Sequence, residues 1–174
     1  MALAVMNKDG SKKSVAVTLK MEEILFDVMN ETFLKGRTIQ DRTNHKEIAS
    51  LFASEDEENK EKIMRSVKKS WGEIRSELSD YLDSQKLSTD NRNLTSTTGD
   101  LALNLVMPSN FNEAATDSVG DACHAFIVNN TVAEWYIVTK PDEAKTYFDL
   151  AQNAMELIRY SSSKRARPQV PSRG

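Results

Sequence analysis

The sequence predicts an all-α protein: a helical bundle of three long helices and one short helix, with extended arms at both ends. At most a short strand or hairpin is expected near residues 14–19 and 101–107. Two observations carry this expectation. Apolar residues recur at steps of three and four over several separate stretches, the spacing that lines one face of an α-helix. Both ends of the chain lack that periodicity.

Residues 1–13 include Lys8, Asp9, Gly10, Ser11, Lys12 and Lys13 and read as an extended arm. Val15, Val17 and Leu19 then fall on one side with a period of two, which suits a short strand or an ordered lead-in. Thr18 is placed to cap the first helix. In that helix Met21, Ile24, Leu25, Val28 and Met29 follow the i, i+3, i+4, i+7, i+8 rule of a buried stripe. Gly36 is placed to end it. Residues 37–54 are polar, with a brief helical signal in Ile48, Leu51 and Phe52.

Ser54-x-x-Glu57 reads as a capping box, and Glu55, Asp56, Glu57 and Glu58 crowd the first turn, where the helix dipole favours acids. Ile63, Val67, Trp71, Ile74, Leu78 and Leu82 extend this helix from about residue 55 to 85. Its narrow stripe suits packing against one partner helix, in the same chain or a neighbour. Residues 85–99 form a polar loop of unusual length. Leu101, Ala102, Leu103, Leu105 and Val106 make an apolar run stopped by Pro108, read as extended.

Asn110 or Asn112 can cap the next helix, whose stripe of Ala115, Val119, Ala122, Phe126, Ala133 and Tyr136 covers roughly residues 112–138. Thr139-x-x-Asp142 reads as a second capping box, with Pro141 in a first turn. Ala144, Tyr147, Phe148, Ala151, Ala154, Met155 and Ile158 carry the last helix to about residue 161. Small residues on one side of these two helices predict a close hairpin. The tail, residues 162–174, is basic, aperiodic and contains two prolines. The expected division is therefore an arm (1–13), a helical body (14–161) and a tail (162–174).

With 174 residues the chain is long enough for one domain with a proper core. Its 39% hydrophobic and 28% charged residues are ordinary for a globular protein. A formal net charge of -3 gives no global pull towards nucleic acid or an anionic membrane. Charge is local instead: acidic at Glu55–Glu58, basic at Lys164, Arg165, Arg167 and Arg173. A single cysteine, Cys123, excludes an internal disulfide and reads as a buried thiol. The apolar start Met1–Met6 is too short for a signal peptide core or a membrane span.

Catalytic, cofactor and metal sites are not expected. His45 and His124 lie far apart on different elements, and no His/Cys pair has zinc-ligand spacing. No glycine-rich phosphate loop is present. Asp80 with Asp83, and Glu73 with Glu77, can share a helix face but read as solvated surface. The Glu55–Glu58 cluster lacks the alternating ligands and turn glycine of a calcium loop. His124, among apolar neighbours, reads as a satisfied core or interface histidine, since a catalytic base needs a partner. Trp71, Trp135 and Tyr136 are candidate subunit-interface anchors. No helix with clustered arginine and lysine suited to reading a DNA groove stands out.

Several strings carry a resemblance: Leu103-Asn-Leu-Val-Met-Pro-Ser-Asn-Phe-Asn112, His124-Ala-Phe-Ile-Val-Asn129, Ala133-Glu-Trp-Tyr136 and Thr139-Lys-Pro-Asp142. With the opening Leu19-Lys-Met-Glu-Glu-Ile-Leu-Phe-Asp27 and the close Lys164-Arg-Ala-Arg-Pro168, the chain resembles small proteins of tailed bacteriophages and prophages of gut anaerobes. In size, helical content and tail it also resembles the head-to-tail connector, or neck adaptor, proteins of phages. That second resemblance is one of architecture.

What the resemblance implies is a structural virion protein made in the host cytoplasm. Copies would form an oligomeric ring, usually of twelve, that joins the portal to the tail and lines the DNA channel. Expected partners are the portal protein, neighbouring copies and the next neck or tail protein, with genomic DNA passing without sequence-specific binding and no membrane. Lys164, Arg165, Arg167, Pro168, Val170 and Arg173 are the residues expected to dock onto the portal or a neighbour. Two other readings stay open at this point. One is a different phage component, for tail completion or the head; the other is a DNA-binding regulator using the basic tail.

Overall fold

Leu101, Leu103, Leu105 and Met107 are buried, while the alternate Ala102, Asn104, Val106 and Pro108 are only half-buried. Lys13, Val15, Val17 and Leu19 alternate in the same way. A period of two is that of a strand with one covered face. The computed structural model, which describes residues 2–6, 10–38, 57–86 and 99–168, places both runs side by side in one sheet. Strand β1 is Ala2–Met6, β2 is Lys12–Leu19 and β3 is Leu101–Pro108, in the order β1-β2-β3. All neighbours run antiparallel, with Ala2 opposite Val17, Met6 opposite Lys13, Lys12 opposite Pro108 and Leu19 opposite Leu101.

This sheet corrects the all-α expectation. The protein has helices packed on one face of a three-stranded sheet, an α+β arrangement. The pairing of β2 with β3 joins segments more than eighty residues apart, so no local periodicity announces it. The segment read as an N-terminal arm is also corrected. Residues 2–6 form the edge strand, and Gly10, at φ +66°, takes a left-handed conformation in the connection to β2.

Helix α1 is Met21–Thr38, so it starts after Lys20 and runs past Gly36 rather than ending there. Thr18 lies within β2. Helix α2, Glu57–Glu77, is shorter than its stripe suggested. After Leu78 the chain tightens into 3-10 turns at Ser79–Tyr81 and Ser84–Lys86. Between them, Leu82 bridges to Leu105 and the Asp83 N–H donates to the Asn104 carbonyl (3.0 Å), so the segment lies along the outer edge of β3. Ile48, Leu51, Phe52 and Ser54, with most of the 85–99 loop, lie outside the described residues.

Asn112 caps the 3-10 turn Glu113–Ala115 rather than the helix itself: its side-chain oxygen accepts from the Ala114 N–H (3.1 Å), whereas helix α3, Thr116–Tyr136, has Ala115 at its N-cap with no side-chain capping bond. Helix α4, Pro141–Ser162, opens with Pro141, but Lys140 is its N-cap residue and makes no side-chain capping bond. The second capping box is therefore not formed. The hairpin of α3 and α4 forms as expected, with Ala144, Tyr147, Ala151, Ala154, Met155 and Ile158 buried along it.

Helix α3 is the centre of the molecule. Val119, Ala122, Cys123, Phe126, Ile127, Val132 and Ala133 are all buried, a much wider face than one stripe, because the sheet, α1, α2 and α4 pack around it; Asp117, Ser118 and Asp121 in its first turns stay exposed. At Gly120 it comes so close to the sheet that an added Cβ would lie 3.2 Å from the Ala2 Cβ and 3.7 Å from Val17 Cγ1.

Candidate functional site

The groups that could carry chemistry have structural tasks. Cys123 is fully buried, and burial pushes its thiol up to about 12, so the thiolate needed for reaction is suppressed at neutral pH. His124 on α3 meets Asp27 on α1 through Nε2 and Oδ2 at 2.7 Å, tying the two helices together. Glu77 is held by Arg159 of α4, and Asp83 accepts from the Gln85 N–H (3.0 Å). Among the described residues, no three His, Cys, Asp or Glu side chains converge as a metal-binding group. No helix among them is long and apolar enough to cross a membrane. His45 lies outside the described residues.

The aromatic residues expected at a subunit interface belong to the chain's own core. Trp71 is 4% exposed, Trp135 8% and Tyr136 1%. Lys62 Nζ sits 4.6 Å from the centre of the Trp135 ring, and the Tyr136 hydroxyl donates to the Thr32 carbonyl (3.3 Å). Helix–helix packing inside the chain covers most of their apolar surface.

The C-terminal segment is pinned at its root by an isolated β-bridge. The Asn112 N–H donates to the Lys164 carbonyl (3.1 Å), and the Ala166 N–H donates to the Asn110 carbonyl (2.7 Å). These two bonds make an antiparallel bridge between Phe111 and Arg165. Phe111 is fully buried, and its carbonyl accepts from Lys13 Nζ (2.8 Å), which also pairs with Glu113 (2.8 Å). Lys164 folds back over the Tyr160 ring at 3.7 Å. Arg165, Arg167 and Pro168 are exposed. Val170 and Arg173 lie outside the described residues, as do Glu55 and Asp56; Glu57 and Glu58 open α2.

Two surface grooves were not foreseen. The first, about 940 Å³, lies where α1, α3 and the β1–β2 end of the sheet meet. Glu22, Glu23, Asp27, Asp117 and Asp121 line it, with Ala2, Leu19 and Gly120 giving apolar surface. Phe26 projects there, 68% exposed.

The second, about 830 Å³, lies between α2 and the end of α3 and mixes both charges: Lys62, Arg65 and Lys69 line it together with Glu61, Glu134 and Ile137, and Arg65 pairs with Glu61 (3.9 Å). Lys69 and Ser66 both bond Glu134, and this contact holds the Lys69 ammonium above its ordinary range. Lys60 and Lys68 are exposed on the same helix, but Glu57, Glu58, Glu61, Glu73 and Glu77 alternate with the basic residues along α2. The i, i+3, i+7 spacing of Lys62, Arg65 and Lys69 is the signal in the sequence that marks this face. The acidic groove has no such signal, since α1 and α3 contribute its carboxylates from positions nearly one hundred residues apart. No family model, curated protein or solved structure matches the chain.

Proposed function

We propose that the chain is a structural protein of a tailed-bacteriophage virion: a head-to-tail connector whose copies form a ring between portal and tail. The observation that carries this reading is the way the C-terminus leaves the body. Backbone bonds at Asn110 and Asn112 fix the chain through Ala166, and the basic residues Arg165 and Arg167, with Pro168, stand exposed at that exit. A segment anchored at its root and presenting arginines is suited to docking on another protein and gaining order as it binds. The resemblance of the Lys164–Pro168 string and of the helical body to phage proteins supports the same reading.

The test is deletion of residues 167–174. This cut spares Ser161 and Ser162, which are buried, and the bonds made by Lys164 and Ala166. The shortened protein is expected to keep its thermal midpoint and lose co-purification with the portal protein expressed beside it. Undiminished co-purification overturns the docking role of the tail. Salt-sensitive binding of duplex DNA, lost with the same deletion, would favour the DNA-binding regulator instead.

A further inference from the structure

The groove where α1, α3 and the sheet meet has an apolar floor of Ala2, Leu19 and Gly120, and the Phe26 ring stands beside it, 68% exposed. No lysine or arginine among the described residues lines it. Two of its five carboxylates are already paired within the chain: Glu23 with Lys20 (3.4 Å) and Asp27 with His124 (2.7 Å). Glu22, Asp117 and Asp121 have no cationic partner among the described residues. Apolar surface beside uncompensated acids suits a segment that carries both arginine and apolar side chains.

The chain carries such a segment close by. Arg165 turns back, its Nη1 donating to the Ser162 carbonyl (3.2 Å), so the cations left to the tail are Arg167 and Arg173, on either side of Pro168, Val170 and Pro171. The root of the tail is fixed, because the Ala166 N–H donates to the Asn110 carbonyl. From Asn110 to Asp117 the chain advances by no more than about 18 Å, since part of that stretch is helical and rises at most about 2.0 Å per residue. Seven steps lead from Ala166 to Arg173, about 22 Å in the extended left-handed form that prolines favour. Arg173, with the length of its own side chain, can therefore reach Asp117 and Asp121.

We propose that residues 167–174 dock into this groove of their own molecule, with Arg173 on Asp117 and Asp121 and with the prolines and Val170 along the apolar floor beside Phe26. Proline-rich segments are recognised on aromatic surfaces in this way, and their stiffness leaves little freedom to lose on docking. The contact is a latch on the tail. It rests on the connector reading for what releases it: the portal has to take the tail out of the groove before the tail can dock. Exposed ion pairs add little to fold stability, so removing the tail leaves the thermal midpoint nearly where it was.

The experiment places a nitroxide on the full chain at Ser172→Cys and reads the broadening of backbone amide signals. Cys123 is buried and stays unlabelled. Broadening is expected at Glu22, Phe26, Asp117 and Asp121 and not at Lys62 or Arg65 on α2. It should be lost in Asp117→Asn with Asp121→Asn, two exposed positions where an unchanged remaining spectrum shows the fold intact. It should be lost again at 1 M salt, where the screening length falls to about 3 Å. Broadening that is absent, or spread evenly over the chain, overturns the latch. So does broadening of an isotope-labelled chain without nitroxide by an unlabelled chain that bears it, because the tail then comes from a second molecule.

Adding portal protein separates the latch from the reading it rests on. Portal is expected to abolish the broadening, and the Asp117→Asn, Asp121→Asn chain should co-purify with more portal than the parent does. Bound portal that leaves the broadening intact overturns the latch. Broadening in a chain that never captures portal keeps the latch and removes the connector reading; portal capture without any broadening does the reverse.

Discussion

The Arg159 guanidinium grips the Glu77 carboxylate at two points, Nε to Oε1 at 2.6 Å and Nη2 to Oε2 at 2.9 Å, joining the last turn of α4 to the last turn of α2. The fork matches the carboxylate geometry, so the pair is positioned as well as charged. The hydrogen bonds from Arg159 hold the Glu77 carboxyl below the usual glutamate range. A depressed folded-state value contributes stability above the unfolded value, which is lost as pH falls through the folded one. The Glu77→Gln variant should therefore melt below the parent at neutral pH, and the gap should close as pH drops below about 4.3. Because both side chains are partly open to solvent, the gap is expected to be small. Melting curves at steps between pH 7 and pH 3 check it; a gap that does not narrow in acid contradicts the assignment.

Gly120 tests how tightly α3 lies on the sheet. An alanine there would bring its Cβ to 3.2 Å from that of Ala2, which β1 can accommodate by shifting a few tenths of an ångström. Leucine cannot be accommodated so cheaply. Gly120→Leu is expected to lower stability by about 1–3 kcal/mol, the usual cost of overpacking, in spite of a better helix propensity. The strain should fall on the short edge strand. Amide exchange of residues 2–6 should rise more than that of β3, and equal protection in both variants would show that the contact is slack.

How far such features were legible in the sequence follows from their range. The stripes of Met21–Met29 and Ala144–Ile158 are local and fall on helices, as does the Ile63–Ile74 part of the stripe read through Leu82, whose Leu78 and Leu82 lie beyond α2. Val15, Val17 and Leu19 showed their period of two, yet nothing local tells that their partner is Leu101–Met107 or that Ala2–Met6 completes the sheet. The wide burial of α3 had the same cause, since several assembled neighbours cover it while Asp117, Ser118 and Asp121 stay exposed. For the surface, the basic residues of the tail were plain, but the bonds that pin Lys164 and Ala166 are backbone bonds and leave no side-chain signature. Trp71, Trp135 and Tyr136 looked alike as core or interface anchors because both settings ask for a large apolar side chain.

Asn130 and Ser70 form a buried polar link between α3 and α2. The Asn130 amide donates to Ser70 Oγ (2.9 Å), which donates in turn to the Ser66 carbonyl (2.9 Å). Removing Ser70 strands the Asn130 amide away from water, and removing Asn130 leaves the Ser70 oxygen without its donor and a void beside it, though its hydroxyl keeps the bond to Ser66. Asn130→Ala and Ser70→Ala should each cost about 1–3 kcal/mol in urea unfolding. The double variant removes both partners together and should cost less than the sum, by about 0.5–3 kcal/mol. Strict additivity would show that the two side chains do not act as a pair.

Tyr136 and Tyr147 face each other across the α3–α4 hairpin, ring centres 6.2 Å apart. The Tyr147 hydroxyl donates to the Glu31 carboxylate (2.8 Å) and that of Tyr136 to the Thr32 carbonyl, so α1 is fastened to both helices through neutral phenols. Burial, reinforced by the negative charges of Glu143 and Glu31, pushes Tyr136 up to about 12; burial and the bond to Glu31 push Tyr147 up as well. An unfolded tyrosine ionises near 10. The folded protein therefore keeps these protons where the unfolded chain loses them, and stability that is complete below about pH 10 is lost as pH rises through 12. Absorbance titration of the phenolate should show two of the four tyrosines ionising late, together with unfolding. In Tyr147→Phe one late step should disappear and the alkaline fall in melting temperature should become shallower. A variant with the parent's alkaline profile would mean that the Tyr147 phenol does not fasten α1 in the way its geometry indicates.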